Sequence, residues 1–345
     1  MSKFIQLHLL TSYAPSNLNR DDLGRPKTAK MGGFDRLRVS SQSLKRNWRV
    51  SELFEEAMIG EIGVRTKKLG EEVFNTLVTG GVKEKQATTW ASSIAGVFGK
   101  VKKDKPLEIE QLAHISTAEK QAVLALAELL CHEQREPSAD ELKLLKADRT
   151  SVDIALFGRM LASSPEFNVE AACQVAHSIS VHKVLVEDDY FTAVDDLNDG
   201  KTDTGSAHIG EANFAAALFY SYICINKSQL VENLGGNEAL ADSAIKALTE
   251  AAVKVSPKGK QNSFASRAYA SYVMAELGEQ QPRSLSVSYL KPVQDEDMAE
   301  AAITAIEKQA SNFDAVYGKC ADARYTINAV KGEGTLNELL DFVAK

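Results

Sequence analysis

From about residue 52 to residue 150 the sequence carries helix signals, whereas the segments on either side carry strand signals. Any fold for this chain must therefore hold a helical block inserted into a sheet-containing domain, which makes the class α+β. Ahead of the block, residues 4–10 are apolar but for Gln6 and His8, and Ser, Pro and Asn follow. That run predicts a strand covered on both faces. Residues 14–38 contain Pro15, Pro26, Gly24 and the pair Gly32-Gly33, and predict a long loop. Such loops inside a domain are usually functional. Residues 40–49 predict a helix start with hydroxyl N-caps and the i, i+4 pair Leu44 and Trp48. Within the block, Ser116-x-x-Glu119 and Ser138-x-x-Glu141 are capping boxes, each predicting a helix, and residues 100–106 form a basic loop.

After residue 150 the period changes. Segments 153–157, 173–186 and 214–225 are rich in β-branched and aromatic residues and predict strands, as do 270–277, 284–290 and 323–330. Segments 237–255, 297–313 and 336–344 predict amphipathic helices. With the block set aside, the order reduces to βαββαβ with insertions, the arrangement of an RNA-recognition-motif domain.

Composition narrows the function classes. With 44% hydrophobic and 25% charged residues, the chain is not a disordered one. No apolar run is long enough for a membrane helix, and the apolar start is too short and interrupted for a signal peptide. Four widely spaced cysteines without a C-x-x-C pair argue against a zinc site and a disulfide framework, so a reducing cytoplasm is expected. The sequence lacks the P-loop, dinucleotide, zincin and nucleophile-elbow motifs. The acidic stretch 195–200 has its glycine in the wrong register for a calcium loop and reads as a solvated turn. His177 and His182, five apart on a predicted strand, point to opposite faces and make no metal pair.

Net charge is −7, yet the first 50 residues hold ten basic residues against three acids. A phosphate-binding surface needs local positive potential, not a basic average. Arg20 and Lys27 lie in the loop, and Ser40, Ser41, Gln42 and Ser43 stand at the helix N-terminus, where free N–H groups and the dipole suit an anion. Lys45, Arg46 and Arg49 follow, with Lys45 and Arg49 four apart as a two-charge rail. The constellation suits a polyanionic backbone better than a single nucleotide.

Residues 18–22 (LNRDD), Gly32-Gly33 and residues 38–46 (RVSSQSLKR) resemble the CasC family, the crRNA-binding backbone subunits of the type I-E CRISPR complex Cascade. The similarity resumes at 152–160, Ala176-His177, 190–197, 205–210, 232–236 and Lys260-Gln261. The resemblance implies an RNA-recognition-motif-like (ferredoxin-like) palm at 1–50 and 214–345, helical fingers at 51–174 and a β-hairpin thumb at 184–213. It implies a cytoplasmic protein that binds crRNA, forms a helical filament with copies of itself, joins other Cascade subunits and presents the guide in segments to target DNA. It implies no catalysis, no cofactor, no metal and no membrane.

By matching position, Arg20, Lys27, Ser40, Gln42, Lys45, Arg46, Arg49, Arg159 and Met160 would contact RNA, with Met160 a wedge at a kinked base. Tyr190 and Phe191 would insert at the displaced base, and Lys143 and Lys146 on a fingers helix could touch DNA. Phe157 stands where the compared relative has serine, and the turn after it is shorter. Residues 184–203 carry seven acids, among them Asp188 and Asp189, against Lys201 alone among positions beyond the opening Val184–Val186 run. An acidic thumb could meet the basic palm of the next copy, favouring open helical growth. The alternative is a metal-dependent endoribonuclease backbone subunit that cuts target RNA through a loop aspartate, Asp21 or Asp22.

Overall fold

The computed structural model describes residues 3–146, 150–193, 196 and 208–345. The chain opens with β1 (Phe4–Ser16), β2 (Thr28–Met31), β3 (Phe34–Val39), α1 (Ser41–Arg49) and α2 (Glu52–Ala57). The block follows as β4 (Val64–Thr66), α3 (Leu69–Thr79), α4 (Glu84–Gly96), β5 (Ala113–Ile115) and α5 (Thr117–Glu133). α6 (Val152–Phe157) returns the chain to the sheet, where β6 (Cys173–Val175) and β7 (Ser178–Ser180) precede the paired β8 (Glu187–Ala193) and β9 (His208–Asn226). The remainder is α7 (Lys227–Asn233), α8 (Glu238–Lys254), α9 (Gln261–Phe264), β10 (Tyr272–Gly278), α10 (Met298–Tyr317), β11 (Ala323–Asn328) and α11 (Leu336–Val343). The main sheet runs β11-β10-β1-β9-β7-β3-β2, and β6 and β8 also pair with β9. Its ladders are antiparallel.

β1 lies between β9 and β10, so both its edges are paired and its alternate residues feed two cores. Ile5, Leu7 and Leu9 pack with Leu44, Trp48, Phe54 and Leu248 from α1, α2 and α8. Full burial of each such side chain contributes ~1.5–3 kcal/mol. On the other face, Leu10 joins Tyr220, Tyr289 and Ile303. Gln6 and His8, buried polar residues of β1, are satisfied there. Gln6 Oε1 accepts from Tyr222 Oη at 2.8 Å, while His8 Nδ1 lies 2.9 Å from Tyr220 Oη and Nε2 3.3 Å from Glu276 Oε2. Burial lowers the His8 pKa against the pull of Glu276, whose carboxylate is itself held by Arg283 and Arg324. The strand expected to be covered on both faces is so covered.

The helical block has its own core, built from Val73 and Leu77 of α3, Trp90 and Ile94 of α4, and Val123 and Leu130 of α5. The Ser116–Glu119 capping box forms in full at the start of α5. The Ser138–Glu141 box makes both its bonds, at 2.8 and 3.4 Å, but closes a turn with no helix behind it. Leu142, Leu144 and Leu145 behind it pack on the block's core in non-helical backbone, so a capped first turn alone does not propagate a helix.

Other expectations need correction. Residues 14–38 are not one loop: β1 continues to Ser16, and β2 and β3 form a hairpin. Its two-residue turn is Gly32 (φ 60°) and Gly33 (φ 85°), the pair of positive values a type I′ turn demands. Gly32 has a second reason to lack a side chain, since a Cβ there would lie 1.8 Å from the Leu290 carbonyl oxygen. Segment 153–157 is the helix α6, not a strand; it is too short and too uniformly buried to show a period. Segment 173–186 breaks into β6 and β7, leaving His177 and His182 outside either strand. Segment 284–290 holds a 3₁₀ turn at Ser286–Tyr289, initiated by Ser284 Oγ accepting from Ser286 N at 3.1 Å.

Candidate nucleic-acid interface

The start of α1 organises the basic region. Ser40 is the N-cap: its hydroxyl accepts from Ser43 N at 3.3 Å, and its own N–H donates to Asn19 Oδ1 at 2.9 Å. Ser41 N donates to His177 Nδ1 at 3.0 Å, with Arg38 Nη1 3.4 Å from the same nitrogen. Burial, with Arg38 and Lys27 nearby, lowers the His177 pKa and favours the neutral ring that accepts this bond. The helix terminus expected to offer free N–H groups thus has two of them satisfied internally, and buried Ser40 serves as a cap rather than as an open donor. Gln42 remains exposed. His177 belongs to the Ala176-His177 block of the resemblance, which implies no site role for it; the fold places it at the head of α1.

Arg20 sits on a tight loop shaped by Asp21, whose Oδ1 accepts from Leu23 N and Arg25 N, each at 2.9 Å. Asn17 Nδ2 ties the loop down by donating to Gly24 O and Asn213 O, both at 2.9 Å. Between this loop and α1 lies a cleft of about 610 Å³ lined by Arg20, Asp22, Ser43, Arg46, Asn47 and Lys258. Lys258, which sequence reasoning missed, is placed by its N–H donating to Asn47 Oδ1 at 3.1 Å. Arg20, Arg46 and Lys258 form no ion pair with a carboxylate among the described residues. Lys27 lies beside Arg38 along the same face. Lys45 turns the other way, its Nζ 5.9 Å from the centre of the Phe157 ring. Phenylalanine at that position gives the ammonium a π face that serine would not.

Two of the anticipated cations are committed elsewhere. Arg49 does not extend the rail: its side chain is 12% exposed, with Nε 2.5 Å from Asp153 Oδ2 and Nη2 donating to Gly63 O at 2.9 Å. Asp153 also receives Gly63 N at 2.9 Å and His114 Nε2 at 2.7 Å. Burial would raise this carboxyl, but the His114 bond, the Gly63 N–H and the Arg49 charge outweigh it and hold it at about 2. Arg159 is likewise turned inward, its Nη1 2.7 Å from Glu119 Oε2 and its Nη2 donating to Phe167 O at 3.1 Å. The inward anchor leaves its neighbour Met160 79% exposed on the same loop.

The β8–β9 arm projects Tyr190 and Phe191, 65% and 43% exposed. Tyr190 stands opposite Glu211 and Phe191 opposite Gly210, where a Cβ would lie 2.3 Å from Phe191 Cζ, so the missing side chain admits the ring. Adjacent strand residues face opposite sides, so the arm displays an aromatic on each. Asp188 accepts from Asn213 Nδ2 and lies 3.9 Å from Arg25. The expected acids Asp195, Asp199 and Asp203, and most of the stretch 195–200, lie outside the described residues. Lys143 is exposed and 2.7 Å from Asp140, and Lys146 N donates to Glu119 Oε1 at 3.1 Å. Both stand on the turn after α5, not on a helix.

A family model described as CT1975-like protein matches residues 5–341. Solved structures are similar over almost the whole length. One, a chain of a "CRISPR RNA-guided surveillance complex, pre-nicking", is 28% identical, with 99% of each chain covered and a TM-score of 0.85. Another, from a "CRISPR RNA-guided surveillance complex", is 25% identical, covering 99% of this chain and 98% of that one, with a TM-score of 0.63. A comparison with curated proteins finds no match.

Proposed function

The chain belongs to the CT1975-like protein family, and on that footing we propose that it is a non-catalytic, guide-RNA-binding backbone subunit of an RNA-guided surveillance complex. The observation that carries this reading is the cleft where Arg20, Arg46 and Lys258 converge without carboxylate partners among the described residues. Cations so placed neutralise phosphates irrespective of sequence. In this reading the strands β10-β1-β9-β7, backed by α1 and α8, are the palm. Their antiparallel order, with β7 joining from residues 178–180, supports a ferredoxin-like palm built mainly from residues 1–50 and 214–345. The separate core of the helical block supports fingers within 51–174, and the exposed β8–β9 arm supports a thumb at 184–213. Copies would assemble along crRNA with other subunits, and the guide would pair with target DNA between thumbs.

Replacing Tyr190 and Phe191 together by Ala tests the segmentation. RNA should stay bound through the palm cleft, while the periodic chemical reactivity of displaced bases disappears. If periodicity persists, the wedge lies elsewhere, with exposed Met160 next.

A second reading, a target-RNA endonuclease, rests on Asp22, which stands on the rim of the same cleft. Asp21 is the weaker candidate because its carboxylate already accepts two backbone N–H groups. Incubating the assembled complex with Mg²⁺ and complementary RNA separates the readings: cuts at fixed intervals that vanish in Asp22→Ala would favour the nuclease.

A further inference from the structure

Beyond Lys258 the basic cleft opens into a second groove of about 890 Å³, walled by Leu53, Lys254, Asn262, Arg267 and Tyr269. We infer that this groove is an additional single-stranded RNA subsite in which a base stacks on Tyr269 while Arg267 and Lys258 hold the adjoining phosphates. The inference rests on the guide-RNA reading above and extends it to residues 254–269.

Lys258 lines both grooves, so a strand lying on Arg20 and Arg46 has a continuous path into the second. Tyr269 is 68% exposed, but its backbone is fixed on both sides. Ala268 N donates to Ser256 Oγ at 2.8 Å, and Ala270 N to Val253 O at 2.9 Å. The ring is therefore an exposed aromatic carried on a fixed stretch of backbone. Stacking on such a face tolerates any base.

The wall is built under strain. Of the described non-glycine residues, those with positive φ are Gln134, Lys260 (φ 50°) and Ala265 (φ 48°), and the last two bracket α9. Left-handed backbone in such residues persists only where surrounding contacts enforce it, and it clusters at functional sites. The contacts here are explicit. Gln261 Nε2 donates to Pro257 O at 2.8 Å and Ser266 O at 3.0 Å, closing the loop on itself. A Cβ on Gly259 would lie 2.2 Å from Leu18 O, so the loop is seated against the Arg20 loop. At its far end the Phe264 ring packs 6.0 Å from Phe214, the residue opposite Glu187 at the base of the arm. The segment thus spans from the cleft to the arm. Of the groove's charged residues, Lys254 is paired with Glu250 at 2.6 Å and Glu52 is the one carboxylate in the lining, so Lys258 and Arg267 leave a surplus of one positive charge.

The test uses the full chain and a thiouridine-substituted single-stranded RNA. Crosslinks should map within 254–269, and Tyr269→Ala should weaken binding about tenfold or more, with Tyr269→Phe close to the parent. Arg267→Ala should flatten the salt dependence. A thermal melt confirms folding of each variant. Unchanged affinity and no crosslink in this segment, with Lys45→Ala/Arg46→Ala still impaired, would overturn the subsite and leave the function standing. If that double variant also binds normally, the guide-RNA reading itself fails. Unchanged RNA affinity with weakened association between copies would overturn the RNA assignment and give the groove to a second copy of this chain.

Discussion

Arg46 and Arg49 are three residues apart on α1 and have opposite fates. Arg46 projects into an open cleft among unpaired cations, whereas Arg49 is folded into a junction with Asp153 and His114 that joins α1 to α6 and β5. The same side chain serves ligand binding in one place and architecture in the other. What decides between them is whether the fold brings a carboxylate within reach. A cation without one keeps its field for a polyanion; a cation with a buried one spends it internally.

The largest effect should come from the junction. Asp153→Ala leaves Arg49 and His114 without their shared acceptor and should cost ~3–5 kcal/mol, read from the urea midpoint. A loss below ~1 kcal/mol would mean that the junction contributes little. Acid should act in the same direction. Asp153 ionises at about 2 when folded, below its ordinary 3.8, so its contribution is full above pH 4 and lost as pH falls towards 2. That amounts to ~2 kcal/mol. Burial, against the pull of Asp153, also lowers the His114 pKa, so protonation of the unfolded chain below pH ~6.5 adds a loss of the same sign. In Asp153→Asn the Asp153 share of this fall, between pH ~4 and ~2, should be absent, while the His114 share below pH ~6.5 remains.

The cleft should respond the other way round. Lys45→Ala/Arg46→Ala should leave stability within ~0.5 kcal/mol. It should weaken RNA binding for every sequence and make the salt slope shallower by ~0.7, for the one single-strand phosphate that Arg46 would neutralise in the cleft. An effect confined to one guide sequence would rule out backbone contact. The smallest change is expected at Arg25 and Asp188, 3.9 Å apart and both about half exposed. Asp188→Lys should shift stability by less than ~0.5 kcal/mol. In assemblies along RNA it should shorten filaments more at low salt than at high salt; equal loss at both would remove electrostatics as the cause.

How much of this was legible in advance differs between α1 and its surroundings. The helix, its Ser40 cap and its Leu44–Trp48 apolar pair follow from spacing, and all three are present. Gln42 and Arg46 are exposed as the pattern implies. Arg49 was misplaced because helical spacing puts it in line with Lys45 while saying nothing of Asp153, 104 residues away. Arg159, expected at RNA from the resemblance, is turned inward because Glu119 of α5 lies within reach across a long separation. The Gly32-Gly33 hairpin could have been read from its two-residue turn; β2 has only four residues and no apolar alternation to announce it.

By itself the sequence determined the elements whose signals are local: the doubly covered β1, the capped starts of α1 and α5, the amphipathic α8 and α10, and the charge surplus of the first 50 residues. Those depend on periodicity, capping and counting, which act over a few residues. Only the tertiary structure decided which cations remain free. It paired Arg49 and Arg159 with distant carboxylates, satisfied the head of α1 with His177, and brought Lys258 to the cleft from the far side of α8. Electrostatic fate is a property of neighbours in space, and burial multiplies the strength of each pairing once water is gone.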